Sequence, residues 1–385
     1  MNRPSAPIGT IAREWLRIGL IGFGGPPAHI TLLRELVVAK KGWMDARAFE
    51  DANAACSLLP GPSSTQLSIF CAYRVGGPLG AVVGGLGFVV PAVVMVLALS
   101  VLFLSTSPPL WVRGAGAGAG AAVAAVAVRA GSELVPPSYL HAMLEHGRRF
   151  HWLAYLVAGA AAAIVIGPYL VLVLLACGLF ELVRRGWFSG AAAFVWKPAT
   201  VITATASAGG VGALAWTALK VGALSFGGGF VIIPLMQGDA VHVYHWMTNA
   251  QFLNAVALGQ VTPGPVVATV AAVGYAAHGV GGGLLAAVVA FAPSFSFILL
   301  GGGRFERLRG NDRARGFLDG AGPAAIGAIL GSAVTLASAL HLGWQFGVLA
   351  AAAVALLILR LGVVLTLVGA GAVGVALALA GAPLP

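Results

Sequence analysis

Residues 59–66 read Leu-Pro-Gly-Pro-Ser-Ser-Thr-Gln, and Pro60-Gly61-Pro62 returns after Thr262 as Pro263-Gly264-Pro265. Proline lacks an amide donor and clashes with the preceding helical turn, so each motif should split an apolar run into two half-helices. A half-helix that begins at such a break offers free backbone amides and the positive end of its dipole, a ready site for an anion. The first motif adds side-chain donors in Ser63, Ser64, Thr65 and Gln66. The second has Val266, Val267 and Ala268 at the matching positions, with Gln260 and Thr262 as its nearby polar groups. Hydroxyls in apolar helices also bond their own backbone. The asymmetry predicts that the first motif supplies more of the direct hydrogen bonds.

Phe23-Gly24-Gly25-Pro26-Pro27 and Phe226-Gly227-Gly228-Gly229 form a second pair of breaks. Such glycines either let helices kink and pack closely, or expose backbone amides in a concave nest that suits a tetrahedral oxyanion. Arg17 and Lys220 precede these motifs by about two turns, where a cation in an apolar segment either balances a bound anion or snorkels to the interface. His29, Glu35 and Asp51 are the titratable groups able to couple transport to protons, although His29 also fits a packed neutral imidazole. Cys56, Cys71 and Cys177 have no Cys-x-x-Cys spacing and read as reduced packing residues. Without paired acids, a metal-ligand cluster or a Walker motif, neither an enzyme nor a bound cofactor is expected.

These groups must be held by membrane helices. The chain of 385 residues is 59% hydrophobic and only 9% charged, with a mean hydropathy of +0.94, whereas soluble domains carry about 25% charged residues. The net charge of +10 does not point to nucleic acid, because the basic residues lie mostly in short connections between apolar runs. An all-α polytopic fold follows, with apolar segments near 12–33, 53–73, 78–104, 111–131, 150–167 and 168–186. A second series lies near 213–236, 250–276, 279–301, 317–340, 343–359 and 361–381. Gly76, Gly80 and Gly84 make a stripe for helix packing or for the face of a homodimer.

The series is a duplication. An offset of 203 pairs Arg17 with Lys220, Phe23-Gly24-Gly25 with Phe226-Gly227-Gly228, Trp43-Met44 with Trp246-Met247, Phe49 with Phe252 and the two Pro-Gly-Pro motifs. Residues 1–190 therefore form one repeat, 191–212 a linker and 213–385 a second repeat. Arg34, Lys40, Lys41 and Arg47 follow the first span, while the matching 238–249 has no Lys or Arg. Five arginines crowd 304–315, where the first half has only Arg113. Opposite bias predicts inverted repeats. Inversion requires an odd number of crossings per half, so either the Pro-Gly-Pro segments are re-entrant or an extra span lies between the halves.

In order and spacing, Gly22-Phe23-Gly24-Gly25-Pro26-Pro27 with His29, Pro60-Gly61-Pro62, Ser225-Phe226-Gly227-Gly228-Gly229 and Pro263-Gly264-Pro265 resemble the chromate ion transporter family in its long-chain, two-domain form. The resemblance covers most of the chain. It implies a multi-pass carrier of the bacterial inner membrane that exports chromate and confers resistance, with sulfate as isosteric competitor. An anion channel, or a carrier for another small oxyanion, is the alternative.

Overall fold

A computed structural model describes residues 6–105, 107–144, 149–186, 209–225, 229–301 and 312–385. Gly227, Gly228, the greater part of the 191–212 linker and the arginines between 304 and 309 lie outside the described residues. Every element among the described residues is helical. The first half contains α1 (Ile8–Ile21), α2 (Gly25–Arg34), which continues into a π-helical turn (Glu35–Lys40), and α3 (Ala46–Ser57). It then runs through α4 (Ser63–Phe103), α5 (Leu110–Leu144), α6 (Arg149–Val165) and α7 (Leu170–Arg184).

The second half begins with α8 (Val211–Leu224), α9 (Ile232–Gln237) with its π-helical turn (Gly238–Val243), and α10 (Asn249–Val261). It goes on to α11 (Val270–Gly301), α12 (Asp312–Ser338), α13 (Gly343–Ala353) and α14 (Val363–Leu379). Four helical stretches are long and apolar enough to cross a membrane: Ser63–Phe103, Leu110–Leu144, Val266–Gly301 and Asp312–Ser338.

The repeat read from the residues reappears in the backbone. α1 and α8, the two π-helical turns, and the starts of α3 and α10 are all 203 residues apart. Phe49 and Phe252, one offset apart, are both fully buried. At the breaks Gly61 has φ 119° and Gly264 φ 103°, a left-handed region that strains any residue bearing a Cβ, so glycine between the prolines is what allows the turn. A later bend, at Gly77 in α4 and at His278 and Gly279 in α11, folds each long element into a two-armed hairpin. The stripe Gly76, Gly80 and Gly84 is filled from within the chain, because a Cβ on these glycines would meet Ile11, Ala72 and Trp15.

One expectation is corrected. The apolar runs 12–33 and 213–236 are not single spans: α1 has 14 residues, about 21 Å against a hydrocarbon thickness of about 30 Å. After the glycine break the chain returns, so that Lys41 pairs with Glu14 at 3.0 Å and Trp43 stacks on Trp15. The Ala6 amide donates to the Val75 carbonyl, so the start of α1, the turn after α2 and the Gly77 bend all face one end. Arg13, next to Glu14 on α1, lies at that same end. At the second Pro-Gly-Pro the chain also doubles back. A Cβ on Gly259 would fall 1.9 Å from the Thr269 hydroxyl, whereas ten residues of continuous helix would separate them by about 15 Å.

The halves exchange helices. α12 packs chiefly on α6, then on α7 and α5, and α5 packs chiefly on α14 and also on α12 and α13. At the centre α4 meets α11. Gly85 lies against Phe295 and Gly283 against Leu97, so these equivalent arms run antiparallel. Each Pro-Gly-Pro tip reaches the other half: Gly61 sits beside Gly222 and Ser294, and Gly264 beside Phe88 and Ala92.

Candidate functional site

The two kinds of break meet where the halves touch. The Gly264 amide, at the tip of the second Pro-Gly-Pro, donates to the Gly22 carbonyl at 2.9 Å, where α1 ends. The same carbonyl takes a 2.9 Å hydrogen bond from His29 Nε2. Because a carbonyl only accepts, Nε2 carries the proton and Nδ1 accepts from the Ser64 hydroxyl at 3.3 Å. His29 is fully buried with Phe88 edge-on to its ring. The glycine break, the imidazole and both Pro-Gly-Pro motifs are thus fastened together, and the Gly264 amide is a staple between halves.

Beside this junction is a cavity of about 390 Å³. Of the residues singled out from the sequence, Gly24, Gly25, Ser63, Gln260, Thr262 and Gly264 line it. Gly24 and Gly25 both have positive φ, 102° and 71°, and Pro26 and Pro27 have no N–H. The first turn of α2 therefore presents only the amides of Gly25 and Ala28. The Thr262 hydroxyl bonds the Leu258 carbonyl of its own helix at 3.0 Å. Gln260 Nε2 is buried without a hydrogen-bond partner among the described residues. An unpaired buried amide is a donor awaiting an acceptor, since leaving it empty costs about 1–3 kcal/mol.

The cation at this cavity is Arg129 on α5, with Glu133 one turn on. Arg129 Nε donates to Glu133 Oε1 at 2.9 Å. Its Nη1 donates to the carbonyls of Leu356 (3.3 Å), inside the π-helical turn Val354–Ile358 of the other half, and of Leu361 just after it. Arg129 was not singled out from the sequence, where the apolar run 111–131 ends close by. The helix continues to Leu144, through Pro136 and Pro137, so Arg129 sits well inside α5, partly buried at the cavity, with Glu133 largely exposed beside it. The usable signal was an Arg and a Glu four apart inside a Gly/Ala-rich helix.

The remaining sequence candidates do not line the cavity. Gln66 donates to the Pro60 carbonyl at 2.8 Å, holding the first break in shape with Pro62 capping α4. Pro263 and Pro265 flank the second break, where the Pro265 carbonyl accepts from the Ala268 amide. Thr65 is buried with its hydroxyl unpartnered among the described residues, as are those of Ser68, Ser225 and Ser294. Arg17 is exposed on α1, Glu35 pairs with Lys40 at 2.8 Å, and Asp51 is half-buried on α3.

Lys220 forms a 2.5 Å ion pair with Asp239, whose Oδ2 also accepts from the Thr217 hydroxyl at 2.7 Å. Asp239 is almost fully buried, so Lys220→Gln should strand its carboxylate and cost about 3 kcal/mol. A lowered midpoint of thermal unfolding in detergent, restored by adding Asp239→Asn, is the expected result. An unchanged midpoint in the single variant would refute a structural role for the pair.

Residues 9–182 and 212–375 match the family model described as chromate transporter. The chain belongs to the chromate transporter family. Among relatives of this chromate transporter family member, the chromate transport protein of Cupriavidus metallidurans is 30% identical over 350 residues, covering 87% of this chain and 84% of the relative. That of Pseudomonas aeruginosa is 31% identical over 343 residues, covering 84% and 80%. An uncharacterized transporter of Methanocaldococcus jannaschii is 26% identical over 378 residues, covering 90% and 88%. No solved structure matches the chain. Family membership and the long apolar helices make this a multi-pass membrane transport protein.

Proposed function

We propose that this chromate transporter family member is a secondary carrier of chromate, with sulfate as isosteric competitor, and that it exports the dianion across a bacterial inner membrane. The cavity between the two halves is its binding site. The observation that carries this reading is the cavity's donor set: the Arg129 guanidinium, the unpaired Gln260 amide, Ser63 and the backbone of Gly24 and Gly25, gathered where the glycine break and both proline breaks converge. Dipoles alone compensate a dianion weakly, and Arg129 adds a formal charge. In the same reading the halves are inverted repeats, residues 1–190 and 213–385 joined by 191–212, with re-entrant hairpins at the Pro-Gly-Pro motifs. The antiparallel α4 and α11 arms and the doubled-back chain at 262–265 support this arrangement.

The test is uptake of radiolabelled chromate and sulfate into vesicles reconstituted with the purified protein, under imposed proton gradients. Saturable uptake of one label, inhibited by the other and accelerated by a gradient, is expected. Rapid, uncoupled, non-saturating flux would make the protein a channel. In the same assay, Pro60→Ala with Pro62→Ala should let α4 extend backward, turning free amides into intrahelical bonds. Transport should fall at least tenfold in a protein that still inserts and purifies as a single species. Parental transport by the double variant would reduce the break to a folding device.

A further inference from the structure

A second cavity, of about 310 Å³, lies toward the other end of α5 and α10. α5 lines it with Arg113, Gly116 and Gly120, and α10 with Gln251 and Asn254. The central cavity takes α5 from Val126 onward and α10 from Gly259 onward. The intervening residues Ala121, Ala125, Ala255 and Leu258 are buried, closing the way between the two spaces. Arg113 and Arg129 are 16 residues apart on one helix, about 24 Å along its axis, so the two cavities lie at well separated depths.

The side chains of the second cavity suit an anion, and Pro385, the last residue of the sequence, also lines it. Arg113 has no ion pair among the described residues, and no Asp or Glu lines the space. Gln251 caps α10 through Oε1, which accepts the Thr248 amide at 2.9 Å. Gln345, from α13, caps that helix in the same way, accepting the Leu342 amide at 3.2 Å. A backbone N–H can bond only the oxygen of a side-chain amide, so both caps leave an NH₂ group free to donate. Asn254 lies directly over Gly116, whose Cβ would clash with its amide at 2.8 Å. Asn254 also stands where the first repeat has Asp51, so the position that carries an acid in one half is neutral beside Arg113 in the other.

We propose that the Arg113 cavity is a second oxyanion-binding station at the opposite mouth of the transport path, with Arg113 as its cation and the amides of Gln251, Gln345 and Asn254 as donors. The contact of α5 with α10 between Gly120 and Val126 is then the barrier between the stations. This assignment rests on the carrier reading above. A dianion leaving the central cavity meets the barrier, crosses when α5 and α10 part, and is received by a charge of the right sign. Opening only one side at a time requires such a barrier.

The experiment uses the full chain in vesicles of known orientation, with sulfate and chromate applied to one face at a time. Arg113→Gln is expected to raise the half-saturating sulfate concentration about tenfold from the Arg113 face and to leave it unchanged from the other. Asn254→Asp should do the same by setting a carboxylate beside the arginine, and Arg113→Lys should retain most of the affinity. Equal shifts from both faces, or none, would overturn the station. A second readout is independent of transport. In protein whose native cysteines are replaced, sulfate should slow modification of Asn254→Cys by an impermeant thiol reagent severalfold, and equal rates with and without sulfate would also overturn it. Protection by sulfate in a protein that moves neither anion would sustain the station and remove the carrier reading instead.

Discussion

Arg129→Gln is expected to lower the transport efficiency for chromate and sulfate by about a hundredfold. Two effects act in the same direction. The oxyanion loses a charge-assisted hydrogen bond, worth about 1.5–3 kcal/mol, or roughly tenfold to a hundredfold. Glu133, held by Arg129 at 2.9 Å in the parent and largely exposed, is also left as an uncompensated carboxylate at the rim of an anion cavity, where it weakly repels the substrate. Adding Glu133→Gln to the variant should therefore recover part of the loss, and Glu133→Gln alone should lower the half-saturating concentration. The measurement is initial uptake in vesicles across a range of sulfate. Parental uptake by Arg129→Gln would make the arginine a strut for the Leu356 and Leu361 carbonyls and remove it from the binding site.

Gly159→Val is expected to disrupt the assembly of the halves. Gly159 on α6 faces α12 so closely that a Cβ would lie 1.8 Å from the Ala324 carbonyl oxygen, and Gly327 on α12 has the reciprocal contact, 1.8 Å from the Leu156 carbonyl. Both obstacles are helix backbone, which cannot rotate away as a side chain can. The helices must separate, and the dispersion contacts along their whole interface weaken together. Overpacking of this kind costs about 3 kcal/mol. α12 belongs to the second half and α6 to the first, so the loss falls on the exchange of helices that joins them. Thermal unfolding in detergent should show a midpoint lowered by several degrees, with aggregated protein on size exclusion. Gly322→Ala on the same α12 is the control, because nothing lies within 4 Å of its added methyl. A Gly159→Val protein as stable as the control would show that α6 and α12 do not need this close approach.

Residence in the membrane, the offset of 203 and the positions of the two Pro-Gly-Pro breaks were legible in the residues alone. Hydrophobic content and charge scarcity act regardless of fold, the offset of 203 is a property of the string, and Pro60, Pro62, Pro263 and Pro265 act on their own backbone within a turn. What no local reading reaches is which groups those breaks bring together. Arg17 and Lys220 share a repeat position, yet one is exposed and the other is engaged by Asp239. Their neighbours in space are not their neighbours in sequence. Ser63 reaches the cavity while Ser64 turns to His29, because a helix sends adjacent side chains about 100° apart and only packing decides which direction is inward. Arg129 lies within the apolar run 111–131, two residues from its end, and was not singled out. Its partners are carbonyls more than 220 residues away, and contacts between residues so distant in the chain are set by tertiary packing alone.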